Sequence, residues 1–442
     1  MNQYQNKVVK FGGSSLASAE QIRKAASIVR ADGSRRYVVV SAPGKRFDGD
    51  KKVTDLLLAL YKAKEENQPY DKIFSEIRER FESIVKELGV ALDLEDEFTA
   101  IREQLENGAT LDYIASRGEY LNGLIMASYL HFAFIDATEV VFFDEDGLLE
   151  ADLTNRVMAR RLQRQPAAVI PGFYGSLPDG GVKVFSRGGS DITGAIVARA
   201  AGADLYENWT DVSGFLMADP RVVENPKSID LITYRELREL SYMGASVLHE
   251  DAIFPVKVAG IPINIKNTNR PDDDGTFIVA SAKDRPGECG VITGIAGKRG
   301  LCLLHIEKDM MNNAIGFGAR VLSEIADMGI SFEHLPSGID TMSVVLTASD
   351  IEGREAELQN RIIKALDPDL ISMEDSIALI AVVGRGMAGN PGTAARIFSA
   401  LGKEKINIRM IDQGSSELNI IVGVHESDFE KAMRAIYGEF SA

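Results

Sequence analysis

The sequence predicts an α/β protein: a mostly parallel sheet sandwiched by helices, followed by two small ferredoxin-like α+β modules. Three observations carry this reading. Apolar runs alternate with helix-periodic segments from residue 1 to about 285. Pro, Gly and Asp then cluster at Asn269–Pro271 and Lys283–Gly290. Beyond them a β-α-β-β-α pattern occurs twice.

The runs Val8–Phe11, Tyr37–Val40, Val140–Phe143, Ala168–Ile170, Val182–Phe185 and Ile263–Ile265 suit strands buried on both faces. Gln21–Val29, Val53–Lys64, Leu121–Phe132 and Ile192–Ala201 carry helical periodicity. Asp71 to Glu106 is charged and helix-periodic, and reads as a helical insertion or lid. Such alternation predicts parallel strands joined by covering helices. In the first small module, strands are expected at Leu301–Ile306, Ser331–Leu335 and Thr341–Thr347, with helices at Gly316–Met328 and Gly353–Leu366. The second has strands at Ile377–Val383, Ile406–Ile411 and Leu418–Val424, and helices at Thr393–Leu401 and Asp428–Tyr437. The expected domains are 1–285, 299–370 and 371–442, with 290–298 a candidate extra strand of the last.

A chain of 442 residues suits two to four domains, and 45% hydrophobic with 26% charged residues describes a soluble globular protein. The net charge of −16 opposes nucleic acid or an anionic membrane as partner. Cys289 and Cys302 make neither a disulfide framework nor a metal cluster. With a polar N-terminus and no run of membrane-spanning length, a reducing cytoplasmic setting is expected.

Open α/β sheets bind ligands beyond the carboxyl ends of their strands, and five segments place polar residues at such ends. The first is Lys10-Phe11-Gly12-Gly13-Ser14-Ser15. Its glycines let backbone N–H groups approach an anion, the helix start adds partial positive charge, and Lys10 adds a full one. It is not the GxxxxGK[ST] loop, since the lysine precedes the glycines. The second is Ser41-Ala42-Pro43-Gly44, with Thr54 opening the next helix. The third is Ser116-Arg117-Gly118-Glu119, placed before a helix at Leu121. The fourth is Ser186-Arg187-Gly188-Gly189-Ser190-Asp191. The fifth is Trp209-Thr210-Asp211, continuing to Ala218-Asp219-Pro220-Arg221. Each has a plainer reading. Ser116 and Glu119 make a capping box, Ser190 or Asp191 a simple cap, and Asp219-Pro220-Arg221 a surface turn. Together, two Gly-Gly loops bearing Lys10 and Arg187 predict two anionic groups held face to face, as phosphoryl transfer requires.

With these motifs the chain resembles the aspartokinases of the amino-acid kinase superfamily, over essentially its whole length. Gly-Ala-Ser-Val-Leu-His at 244 to 249 and Gln413-Gly414-Ser415-Ser416-Glu417 add to the match, and the C-terminal modules resemble paired ACT domains. The resemblance implies phosphoryl transfer from MgATP to the side-chain carboxylate of L-aspartate. Lys10, Gly12, Gly13 and Ser14 would hold phosphate, and Asp191 would orient Lys10. Ser41, Thr54, Glu119, Arg187 and Ser190 would bind aspartate. Thr210, Asp211, Leu216, Arg221 and Ser246 would line the nucleotide site. The acceptor carboxylate is ionised near neutral pH, so no general base is needed. Mg²⁺ would keep mostly water and phosphate ligands, without a dedicated metal site.

Three departures stand out. Ser246 occupies a position where many family members have Lys, for which Arg221 is a candidate substitute. Leu216 replaces a common Tyr. Gly44–Lys52 lengthens a loop whose Lys45, Arg46, Lys51 and Lys52 either close over phosphates or form an exposed basic loop. Gly384-Arg385-Gly386-Met387-Ala388-Gly389 fits GxGxxG, with Asp412 about twenty residues on. Too little chain follows for a dinucleotide-binding sheet, so it reads as part of the second ACT module. The resemblance further implies a homodimer or higher homo-oligomer, inhibited by lysine or threonine. Candidate effector contacts are Met311, Ala314, Gly316, Ser331, Glu333, Ser337, Asn407 and Gln413. The competing readings are an amino-acid-sensing protein with a degenerate kinase domain, and a kinase for a related acidic amino acid.

Overall fold

The computed structural model describes residues 4–186, 188–244, 253–281 and 290–441. The described chain divides into two compact units. One comprises 4–215, 228–234 and 253–281; the other comprises 216–227, 235–244 and 290–441.

Ten strands belong to the first unit: β1 (Lys7–Phe11), β2 (Arg35–Val40), β3 (Ala133–Phe134), β4 (Ala168–Pro171), β5 (Tyr174–Ser176), β6 (Val182–Val184), β7 (Leu205–Thr210), β8 (Leu231–Thr233), β9 (Ile263–Asn267) and β10 (Thr276–Val279). Eight form one sheet in the order β3-β4-β2-β1-β7-β9-β10-β8. Every pair is parallel except β9 with β10. The carboxyl ends of β4, β2, β1, β7 and β9 therefore share one edge. β1 lies inside the sheet, where Val8, Val9 and Phe11 are completely buried, as an apolar run interrupted by a single lysine suits.

Alternation along β1 divides the two faces. Val9 and Phe11 join a core with α1 (Ala19–Arg30), α2 (Val53–Glu65), α3 (Asp71–Leu88), α4 (Glu95–Glu106) and α5 (Leu111–Leu130). Lys10 faces the other way. After α6 (Ala151–Leu162), helix α7 (Gly189–Ala200) packs on that second face. Gly194 makes its close approach possible: a Cβ there would stand 2.2 Å from the Tyr206 hydroxyl. In chain order α8 (Tyr234–Tyr242) follows, its residues from Arg235 on grouping with the second unit, and α9 (Phe254–Ala259) belongs to the first.

Four expectations need correction. Val140–Phe143 is not a strand: a 3₁₀ turn at Ala137–Glu139, capped by Asp136, precedes it and leaves only isolated bridges to Ser176 and Leu149. β6 lies outside the main sheet, pairing with β5 in a hairpin. The charged segment from Asp71 is no lid, because Phe74, Ile77, Phe81, Ile84, Phe98, Ile101 and Leu105 are built into the main core. Ser116–Glu119 precedes no helix. It lies within α5, which begins at Leu111 with Thr110 as its cap. The capping-box reading fails, and Ser116 Oγ donates instead to the Tyr113 carbonyl at 2.7 Å.

The second unit contains one six-stranded antiparallel sheet. Its strands are β11 (Gly294–Glu307), β12 (Phe332–His334), β13 (Thr341–Thr347), β14 (Leu370–Val383), β15 (Ile408–Asp412) and β16 (Asn419–His425), ordered β12-β13-β11-β14-β16-β15. Helices α10 (Phe317–Ala326), α11 (Ala348–Ile351), α12 (Glu355–Leu366), α13 (Thr393–Lys403) and α14 (Phe429–Ser441) cover it. β11 and β14 are longer than the apolar runs. Gly294–Lys298 pairs with Leu379–Val383, beside β16, while Leu303–Glu307 pairs with Leu370–Glu374, beside β13. The two βαββα repeats thus share both long strands and bury separate cores. Segments 216–227 and 235–244, read from sequence as first-domain residues, group with this unit. Ile295 N–H bonds the Met217 carbonyl at 2.7 Å, and buried Glu236 pairs with Arg385 at 2.8 Å.

That pairing also disposes of the GxGxxG match. Arg385 is held by Glu236, and a Cβ on Gly386 would stand 2.4 Å from the Gly290 carbonyl. The preceding strand has only antiparallel neighbours, so no dinucleotide-binding βαβ crossover exists there. Among the described residues no helix is long and apolar enough to cross a membrane.

Replacing Gly194 by alanine should overpack the α7–β7 contact. The expected loss is about 1–3 kcal/mol in urea denaturation, whereas an unchanged midpoint would contradict the packing described.

Candidate active site

At the carboxyl edge of the sheet, two loops meet backbone to backbone. β1 runs into Gly12-Gly13 and a 3₁₀ turn at Ser14–Leu16; β2 runs into Ser41–Gly44. The Gly44 N–H donates to the Gly13 carbonyl at 2.8 Å. A Cβ on Gly44 would stand 2.6 Å from the Gly13 carbonyl carbon, so only glycine permits this approach. From beneath, α5 reaches the second loop at Gly118, where a Cβ would lie 2.7 Å from that of Ala42.

A cleft of about 610 Å³ opens over these loops, and Gly13, Ser14, Ser41, Thr54, Glu119 and Asp211 all line it. Glu119 is buried, and one of its oxygens, Oε2, has no hydrogen-bond partner. Burial pushes its carboxyl up to about 8, against the pull of an N–H donated by Ala42. Its ionised form would gain from a cationic partner at that oxygen. Its helix neighbour Arg117 is also buried. Its guanidinium lies over the Tyr113 and Tyr120 rings at 4.5 and 4.4 Å, and donates to Ser116 Oγ.

Beside the cleft, Lys10 Nζ lies under Gly12. The ammonium is buried and pairs with Asp191 at 2.6 Å. Asp191 is in the first turn of α7, whose start follows Gly188 in the left-handed region at φ +59°. Asn208 completes the group. Its Nδ2 donates to Asp191 Oδ1 at 2.8 Å, and its Oδ1 accepts from Lys10 at 3.4 Å. Sequence reading missed Asn208, although β1–β7 register sets it directly opposite Lys10. Ser190 packs against the end of β4, 2.7 Å from where a Gly172 Cβ would be. Thr210 ends β7 and donates to Asp211 at 3.2 Å.

Other predicted residues fall elsewhere. Leu216 and Arg221 belong to the second unit, where Arg221 forms an exposed pair with Asp219 at 2.7 Å. Arg187 and Ser246 lie outside the described residues. Met311, Ala314 and Gly316 precede α10; Ser331 and Glu333 are at β12; Ser337 bridges to Met342; Asn407 and Gln413 flank β15. His334 on β12 contacts Asp412 on β15 at 3.0 Å, linking two of these groups. Glu333 is already engaged by Lys298 at 2.5 Å and Thr347 at 3.1 Å, so its carboxylate ties strands together.

Gly-Gly backbone, a buried ammonium and a carboxylate-lined cleft at one strand edge define a small-molecule phosphotransferase site. The model of the Amino acid kinase family matches residues 6–267, and an ACT domain model matches 380–440. Aspartokinase 3 of Bacillus subtilis (strain 168) is 41% identical over 452 residues, covering 99% of either chain. The crystal structure of Clostridium acetobutylicum aspartate kinase has 51% identity and a TM-score of 0.91, over 99% of this chain and 100% of that one. Two structures of E. coli aspartokinase III are 26% identical, over 99% of this chain and 100% of each of theirs. One holds aspartate and ADP (TM-score 0.73), the other lysine and aspartate (0.71). The chain belongs to the aspartokinases, within the amino acid kinase family.

The raised Glu119 carboxyl has a stability signature. Folding favours its protonated form, so stability should fall as pH rises from about 4.5 to about 8 and level off above. Urea midpoints across that range should show the slope, and Glu119→Gln should reduce it. An identical slope in the variant would refute the assignment.

Proposed function

We propose that this chain transfers the γ-phosphoryl group of MgATP to the side-chain carboxylate of L-aspartate, giving 4-phospho-L-aspartate. The carrying observation is the buried Lys10–Asp191 pair beside a cleft that Glu119 lines. Catalysis here is positioning and charge neutralisation. Lys10 stabilises negative charge on the phosphoryl oxygens as they pass between nucleotide and acceptor. Asp191 and Asn208 keep its ammonium from swinging away. Gly12 and Gly13 offer backbone N–H groups at the same place. Glu119 receives the substrate's ammonium, which requires the carboxyl to ionise, and Ser41 and Thr54 flank it. Arg187 grips a substrate carboxylate in a bidentate pair. Ser190 supports that grip at the start of α7.

Thr210 and Asp211 serve the nucleotide side at the end of β7. No group of three or more metal-ligating side chains occurs among the described residues. Mg²⁺ would arrive with the nucleotide and would neutralise charge on the transferring group. The ACT-type unit binds an end-product amino acid, lysine or threonine, at residues around β12, β15 and the start of α10, and pairs subunits into a homo-oligomer. Lysine in one E. coli aspartokinase III structure supports that reading.

Purified protein with aspartate, MgATP and hydroxylamine should form the hydroxamate. No product from aspartate, alongside turnover of another acidic amino acid, would change the acceptor. No turnover at all, with tight effector binding, would make the protein a sensor. Lys10→Ala and Arg187→Ala should each cut turnover roughly 10²–10³-fold. The aspartate KM should fall as pH approaches 8 from below, since the ammonium needs an ionised Glu119. A flat profile would remove Glu119 from the acceptor site.

A further inference from the structure

We infer that Arg80, on the helical insert, is a positioning residue for phosphoryl transfer: one buried guanidinium ties the exit of the Gly12–Gly13 loop to the wall of the acceptor cleft. The inference rests on the proposed reading of that cleft. The other inward residues of α3, Phe74, Ile77, Phe81 and Ile84, are hydrocarbon, yet Arg80 is only 5% exposed among them. Burying a cation there is costly unless its donors are answered. Its Nη1 and Nη2 bonds all go to the two loops, while Nε has no partner. Nη2 donates to the Ala17 carbonyl at 3.0 Å and to the Gly44 carbonyl at 2.7 Å; Nη1 donates to Asp50 at 2.8 Å.

Asp50 is partly buried, its side chain 8% exposed. It accepts from Arg46 through the backbone N–H at 2.9 Å and the guanidinium at 2.8 and 2.9 Å. Those Arg46 bonds, then Arg80, hold its carboxyl far below the usual range. Gly44 in turn donates to Gly13. A continuous chain of bonds thus runs from Arg46 through Asp50 and Arg80 to Gly44 and the phosphate loop. The Gly44–Lys52 segment is consequently a braced wall, with Arg46 committed to the brace. Its Lys45, Arg46, Phe47, Asp48 and Lys52 line the cleft.

The test compares Arg80→Lys, Arg80→Met and Asp50→Asn with wild type by kinetics, thermal melts and hydrogen exchange of residues 13–17 and 44–53. Both Arg80 variants should raise the aspartate KM and lower kcat, losing roughly 10- to 10²-fold in kcat/KM. The Gly44 and Val53 amides should exchange faster. Asp50→Asn keeps both carbonyl bonds and should fall between. Should Arg80→Met fail to fold, Arg80→Lys and Asp50→Asn carry the test. Variants that melt earlier but keep wild-type kcat, KM and exchange would overturn the inference. Exchange is read without substrates. If wild type fails to phosphorylate aspartate while Arg80→Lys still loosens residues 44–53, the proposed reaction fails and the brace stands.

Discussion

A lysine ammonium taken out of water at the end of a buried strand cannot stand alone. Lys10 stands on the second strand face because β1 alternates, and that face is covered by α7 rather than by the large hydrocarbon core. The counter-charge must then come from α7, so the helix has to start where Asp191 can reach. Gly188 in the left-handed region sets that start, and Gly194 lets the helix settle onto Tyr206. Tyr206 in turn donates to the Asp191 carbonyl at 3.3 Å. One buried charge thereby constrains a strand register, a helix start and a helix–sheet distance.

The same site needs two loops closer together than side chains allow. Gly13, Gly44 and Gly118 supply the room, each where a Cβ would clash with its neighbour. Close backbone packing brings N–H groups and cleft side chains to one place but contributes little cohesion of its own. Polar ties from α3 and α5 supply it. Asn122 donates to the Ser41 carbonyl at 2.7 Å, and Arg80 holds Gly44. A segment that reads as an insertion or lid, together with α5, therefore serves as the foundation of the site.

Much of this was legible in the residues. Short apolar runs located β1, β2, β4 and β9, and glycine-bearing strand ends lie at the cleft. What escaped has physical causes. Ser116–Glu119 has the composition of a loop because its small and charged side chains are buried beside a polar cleft within α5. β11 and β14 were read short because polar residues interrupt both. The register shifts between Lys298 and Leu303, Gly300 has φ +73° and Ser376 has φ +59°, so each strand passes a bulge between the two repeats. Asn208 carried no signal at all, since its meaning depends on β1–β7 register.

The buried Glu119 carboxyl sharpens the functional reading through energetics. Leaving it ionised and unpaired would penalise folding, and the free protein answers by favouring the protonated form. A ligand ammonium removes that penalty by supplying the missing charge. On the proposed reading, an amino group would be favoured because a ligand without one leaves Oε2 unanswered. On the same reading that preference would rest on α5, which carries the carboxyl into a buried position in the cleft wall.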